Sequence, residues 1–167
     1  MLGGVGRLDM SAFGKCRIKG PGAEEFLDKL VANKLPKKIG RINLCHALNT
    51  KGGVHSEFTI MREAEDSFYL VSAGAYQRLD HDWIHKWMPK DGTVQYENLT
   101  NIMVVLVVSG PRARQLMQTV SRSDFSNERF KWLSAQNINI GLAPCSAMRV
   151  NFVGELGWEL HHPIEYQ

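Results

Sequence analysis

Cysteine is scarce in this chain: three in 167 residues, at positions 16, 45 and 145, with no C-x-x-C pair. Such a set supplies neither a disulfide framework nor a thiolate zinc site, and it suits a reducing compartment. Long apolar runs are missing too. The longest, MVVLVV at 103–108, is far short of the roughly 20 residues a membrane helix needs. The opening MLGGVGRLDM has neither a charged nor a hydrophobic leader region, so no signal peptide is expected. Charge of one sign is lacking as well: 20 basic residues face 17 acidic ones, interspersed along the chain. That balance argues against a nucleic-acid or membrane partner and leaves room for an anionic small molecule. Nucleotide fingerprints are absent, since LGGVG at 2–6 is not G-x-G-x-x-G between a strand and a helix, and no P-loop occurs.

What is present fits a globular protein with a real core: 44% hydrophobic and 22% charged residues. The length allows one ordinary domain or two small interlocked ones. GKCRIKG (14–20) reads as a strand, and PGAEEFLDKLVAN (21–33) as a helix opened by Pro21, with Phe26, Leu27, Leu30 and Val31 as its stripe. Strands follow at 42–49, 54–62 and 67–73, then a helix from Gly74 that stops at Met88, before Pro89. Its expected buried stripe is Leu79, Trp83, Ile84 and Trp87. Strands at 94–98 and 103–109, a helix from Pro111 to about Val120, a shorter helix near 127–134, and strands at 137–141 and 145–152 come next. Strand–strand–helix twice over implies an α+β fold, with antiparallel sheets, helices on one face, and a relation to split β-α-β folds.

Four stretches carry candidate chemistry. In NTKGGVHSEF (49–58), Gly-Gly marks a turn and the alternation after it a strand. Val54, Ser56, Phe58 and Ile60 then share one face, with His55, Glu57, Thr59 and Met61 on the other. Glu57 either sits in water or lines a pocket. HDWIH (81–85) places two histidines at i and i+4, but Asp82 replaces the glutamate of H-E-x-x-H, and no metal is expected. SGPRAR (109–114) is a tight strand-to-helix turn, or else an anion-holding helix start. In NFVGELGWELHHP (151–163), GELG is a turn, and the strand after it sets Trp158 and Leu160 opposite Glu159. By composition Glu159 is a solvated strand residue; if buried, it must meet donors, and adjacent N–H and NH2 groups of a heterocycle would suit it. Cys45 and His46 point to opposite strand faces, which argues against a thiolate–imidazole pair.

Several of these stretches, in this order, closely resemble one family. LNTKGGVHSEF, FYLVSAGA followed by D-x-D-W-I, VVSGPRAR and RVNFVGELGWEL are similar to the folate-binding region of aminomethyltransferases, the glycine-cleavage T-protein family. LDMSAFGKCRIKGPGAEEFLDKLVANKLPKKIGRI narrows the resemblance to the folate-binding part of the dimethylglycine and sarcosine dehydrogenase family. The resemblance implies that Glu57 stands where relatives carry an acidic residue approaching the folate nitrogens, and that Glu159 matches the pterin-holding glutamate. Phe152 takes the place of a common tyrosine, Ser72 of an asparagine, and Leu44 of another tyrosine.

The implied function is capture of a one-carbon unit by tetrahydrofolate, as 5,10-methylene-tetrahydrofolate, after oxidative N-demethylation of a methylated amine. The flavin (FAD) would lie in a dehydrogenase domain in cis, outside this chain. The implied division places 1–53 with 142–167 in one subdomain and 54–141 in a second, ferredoxin-like one. The rest of the folate-binding domain and a β-rich C-terminal domain are expected beyond Gln167. The implied location is the mitochondrial matrix in a eukaryote or the cytoplasm in a bacterium. Two alternatives remain at this stage: a stand-alone T-protein-like aminomethyltransferase, against which Ser72 and Leu44 count, and a non-catalytic folate-binding or regulatory module.

Overall fold

The alternation around the Gly-Gly pair folds into a hairpin. Strands β3 (Ile42–Leu48) and β4 (Val54–Ala64) pair antiparallel, with Cys45 opposite Phe58 and His46 opposite Glu57. Asn49 closes the turn: its backbone N–H donates to the Gly53 carbonyl at 2.8 Å, and its Oδ1 accepts from the Lys51 and Gly53 N–H groups at 2.9 and 3.1 Å. Gly52 takes φ +80°, which a residue with a Cβ adopts only under strain. The computed structural model describes residues 3–150 and 152–167; Met1, Leu2 and Asn151 lie outside them, as does that part of the strand expected over 145–152.

Among the described residues the chain forms ten strands and three α-helices in two compact units, each with its own sheet. One unit is Ala12–Thr100. Its sheet runs β3-β4-β5-β2-β6, with β2 at Gly14–Lys19, β5 at Ser67–Ser72 and β6 at Gln95–Asn98, every pair antiparallel. Helices α1 (Ala23–Leu30) and α2 (Gln77–Trp87) contribute to the same apolar core. From the strands come Cys16, Ile18, Cys45, Phe58, Ile60, Phe68 and Leu70, which the register sets on a single face. On the opposite face Arg17 joins Glu63 and Glu97, tying β2 to β4 and β6.

The other unit takes the segment up to Ser11 with Asn101–Gln167. Its antiparallel sheet runs β1-β7-β10-β9-β8: Gly6–Asp9, Met103–Ser109, Gly157–Pro163, Ala143–Met148 and Ala135–Ile140. Helix α3 (Ala113–Val120) brings Ala113 and Met117 onto Val108, Ala147, Leu160 and the rings of Phe125, Phe130 and Trp158. Those rings lie 5.3–6.0 Å apart, within the range of favourable aromatic pairing.

The α+β expectation, with antiparallel sheets, holds. Four local expectations do not. The division at 53/54 and 141/142 would cut the β3–β4 hairpin and the β8–β9 pair, so the chain parts instead after Ser11 and after Thr100. The split β-α-β arrangement is present, but in Ala12–Thr100: β5, α2 and β6, with β2 inserted between the two strands. The short helix expected near 127–134 is a run of turns, with Leu133 at φ +53°, because Phe125 and Phe130 must both reach the core. In α2 the buried residues are Asp80 and Ile84, while Leu79 and Trp87 are about half exposed. Strand β1 was not anticipated; GRLD is too short to show a period.

Gly20 links β2 to α1 at φ +116°, and a Cβ there would sit 2.4 Å from the Thr93 carbonyl oxygen. Gly92 has φ +81° with open space around it. Gly20→Ala is therefore expected to destabilise the chain by about 2 kcal/mol or more, combining backbone strain with overlap, and Gly92→Ala by about 1 kcal/mol. Urea-unfolding midpoints check the order, and equal losses would contradict it.

Candidate functional site

Four of the five residues expected at the folate site, Leu44, Glu57, Ser72 and Glu159, have their places set by strand alternation within their own unit. Glu57 lies on β4, on the sheet face away from α1 and α2, because its neighbours Ser56 and Phe58 are committed to the core side. Its side chain is half exposed, and Oε2 meets Nε2 of His46 at 2.9 Å. His46 is in turn held by Asn33, whose Oδ1 lies 3.1 Å from the His46 backbone nitrogen and 3.3 Å from Nδ1. Leu44 shares this face two residues along β3 and is 44% exposed. Leu44, His46, Glu57 and Thr59 thus form one contiguous patch.

His55 departs from the expected face. The register shifts beside Ala47 and Leu48, so that His55 becomes the extra residue of a bulge on β4. Its ring turns to the helix side and stacks on Trp83, with centroids 4.2 Å apart. Ser72 also lies apart from Glu57. It pairs with Gly14 at the end of β5 and lines a cavity of about 10 Å³ with Cys16, Asp80, Tyr96 and Thr100. Asp80 is 4% exposed, and neither carboxylate oxygen meets a protein donor. A wider groove of about 540 Å³ runs between α1, the Gly-Gly turn and α2, lined by Phe26, Leu30, Leu48, Trp83 and Trp87. None of the expected folate-site residues lines it.

In the other unit, Glu159 stands on β10 between Val107 of β7 and Met148 of β9. Trp158 and Leu160 go to the α3 side, as the alternation predicts, and Glu159 takes the opposite face. It is 3% exposed, so the solvated alternative falls. His161, two residues on and on the same face, brings Nε2 to 3.2 Å from Glu159 Oε2. Phe152 lies in the loop between β9 and β10 with its side chain largely exposed. The sequence alone does not mark His46 as a partner of Glu57, and neither Asn33 nor His161 was singled out from it. For His161 the i, i+2 spacing from Glu159 was a usable signal; for Asn33, thirteen residues from His46, there was none.

The His81 and His85 rings lie 4.0 Å apart, and His85 Nδ1 is 2.8 Å from the His81 carbonyl oxygen. Among the described residues no three His, Cys, Asp or Glu side chains are placed to share a metal. No helix among them is long and apolar enough to cross a membrane.

The model of the GCVT N-terminal domain family matches residues 2–167. The chain is 38% identical over 162 residues to mitochondrial dimethylglycine dehydrogenase of Mus musculus, covering 96% of this chain and 18% of that protein. It is 32% identical over 162 residues to the mitochondrial pyruvate dehydrogenase phosphatase regulatory subunit of Mus musculus, covering 95% of this chain and 18% of that protein. The glycine cleavage system aminomethyltransferase T from Bartonella henselae superposes with a TM-score of 0.84 at 23% identity, over 99% of this chain and 44% of that one. At that identity the superposition speaks for the fold, and it matches the expected aminomethyltransferase architecture.

All three cysteines are buried. Burial pushes the Cys16 thiol up to about 12, with the charge of Asp80 adding to it, and pushes Cys45 and Cys145 to about 11 and 12. At pH 8 the thiolate fraction is then on the order of one in a thousand or less at each site. The folded chain is expected to resist iodoacetamide at pH 8 and to take up three equivalents in denaturant. Mass spectrometry showing fast labelling of any cysteine under native conditions would contradict this.

Proposed function

The chain belongs to the GCVT N-terminal domain family, and on that premise we propose that it is the tetrahydrofolate-binding, one-carbon-transfer part of a flavoprotein of the dimethylglycine or sarcosine dehydrogenase kind. The observation that carries the reading is a pair of carboxylates, Glu57 and Glu159, each held on the sheet face that its own core leaves unused. The 38% identity to a dimethylglycine dehydrogenase, over nearly the whole chain, supports the choice of relative. FAD belongs to a dehydrogenase domain in cis, outside these residues. The names of these relatives say mitochondrial, which supports a mitochondrial location, with the matrix as the proposed compartment, if the source is a eukaryote.

The residues fit the proposed ligand unevenly. Glu159 is a buried carboxylate able to accept the paired N–H and NH2 donors of a pterin edge, a charge-assisted contact. Leu44 supplies an apolar wall beside Glu57. Ser72 does not fit, since it faces the α2 side of its sheet; Phe152 offers a ring and no hydroxyl. When bound, tetrahydrofolate supplies the amine nucleophile that takes up the one-carbon unit. Glu57 accepts or holds a proton at Oε1, the oxygen that His46 leaves uncommitted, as a positioned general base.

A second reading has its own support. The likeness to a phosphatase regulatory subunit favours a module that keeps the fold and serves regulation rather than transfer. Turnover with variants separates the two. In the flavoprotein that contains this chain, Glu57→Gln is expected to slow methylene-tetrahydrofolate formation by about 10²–10⁴-fold. Flavin reduction by the amine should persist, with free formaldehyde released instead. An unchanged yield and rate would remove Glu57 from the reaction.

Glu159→Gln keeps the volume but replaces one acceptor by a donor. Folate affinity is expected to fall by about 1.5–3 kcal/mol. Equal affinities by calorimetry on the same flavoprotein would overturn the pterin-holding role.

A further inference from the structure

Asn33, His46 and Glu57 form a chain of contacts that runs from the segment after α1, across β3, to β4. Its outer end is set by the backbone. The His46 backbone N–H can only donate, so the Asn33 atom 3.1 Å away must be the amide oxygen, not the NH2 group. That same oxygen faces Nδ1 of the His46 ring at 3.3 Å and can only accept. Both ring nitrogens therefore face acceptors, and the singly protonated ring carries its proton at Nε2, where the acceptor is a carboxylate and the contact is the shorter, 2.9 Å to Glu57 Oε2. Asn33 is itself anchored. The neighbouring Ala32 N–H donates to the His46 carbonyl at 2.9 Å, and Val31 bridges to Ala47.

We propose that His46, held in place by Asn33, is the positioning residue for Glu57, donating from Nε2–H to Oε2. The imidazole engages Oε2 and fixes the carboxylate plane, so that Oε1 alone is presented on the open face of the sheet. A half-exposed glutamate on a strand otherwise samples several rotamers, and a carboxylate that must meet a reacting amine loses rate with each misplacement. This role rests on the reading of Glu57 given above and adds two residues to it.

The test has a readout that needs no turnover. Long-range 1H–15N correlation spectra of the 167-residue chain are expected to show the His46 ring protonated at Nε2, with a proton signal that moves upfield in Glu57→Ala. A bare Nε2 in the wild-type chain would overturn the proposal. In the flavoprotein, His46→Leu is expected to lower one-carbon transfer at saturating folate by about tenfold while leaving the KM for folate within about twofold. His46→Gln, whose amide nitrogen can stand where Nε2 stood, should recover most of that loss. Asn33→Ala, which leaves the β3–β4 pairing untouched, gives a smaller loss of the same kind and keeps the test open if His46→Leu folds poorly. If Glu57→Gln slows transfer and neither His46→Leu nor Asn33→Ala does, the positioning role alone falls. If Glu57→Gln is also without effect, the reading of Glu57 falls and takes the proposal with it.

Discussion

Phe58 and Ile60, at 1% and 0% exposure, grip β4 from one side and thereby hold Glu57 out on the other. Burying each of those side chains is worth about 1.5–3 kcal/mol, whereas a half-exposed pair such as His46–Glu57 contributes about 0–1 kcal/mol. The core therefore sets the register of the β3–β4 hairpin, and the pair follows. A slip of one residue would bury Glu57 and expose both large side chains. Cys45 and Ala47, both fully buried, impose the same condition on β3 and so place His46 opposite Glu57.

The second carboxylate depends on the same constraint under a different balance. Trp158, fully buried, and Leu160 lock β10 onto the α3 core. Glu159 and His161 are left on the opposite face of a central strand, flanked by β7 and β9. There the two polar residues are buried, and a buried carboxylate is tolerated only with a partner. His161 supplies one within the same strand. At Glu57 the partner orients an exposed group; at Glu159 it satisfies a buried one.

Sequence patterns failed where a side chain's surroundings depend on distant segments. The period of α2 predicts an apolar stripe through Leu79, Trp83, Ile84 and Trp87; Ile84 is buried and Trp83 partly so, yet the helix also turns Asp80 inward and leaves Leu79 and Trp87 half exposed. The register of a helix against a sheet depends on what the sheet offers beneath it, here Cys16, Phe58, Leu70 and Tyr96. The bulge at His55 moved one residue off its expected face, because a single extra residue interrupts the period of two. Ser72 follows the alternation of β5 faithfully and for that reason points away from Glu57, even though the resemblance groups the two.

Local information was enough for the strands and helices whose period persists: β2 through β5, β7, α1 and the β10 alternation that separates Trp158 from Glu159. It was enough as well to give the strand faces of Glu57 and Glu159, whereas their candidate roles came from the resemblance, since by composition Glu159 reads as a solvated strand residue. The two-unit division, the turn-rich path from Phe125 to Leu133, and the partners of both carboxylates were decided by tertiary structure alone. Asn33 reaches His46 only because the segment leaving α1 pairs with the edge of β3, a contact between residues thirteen apart that no local period encodes. Alternation states which side of a strand a residue takes; what meets it there depends on which strands and loops the hydrophobic core brings together.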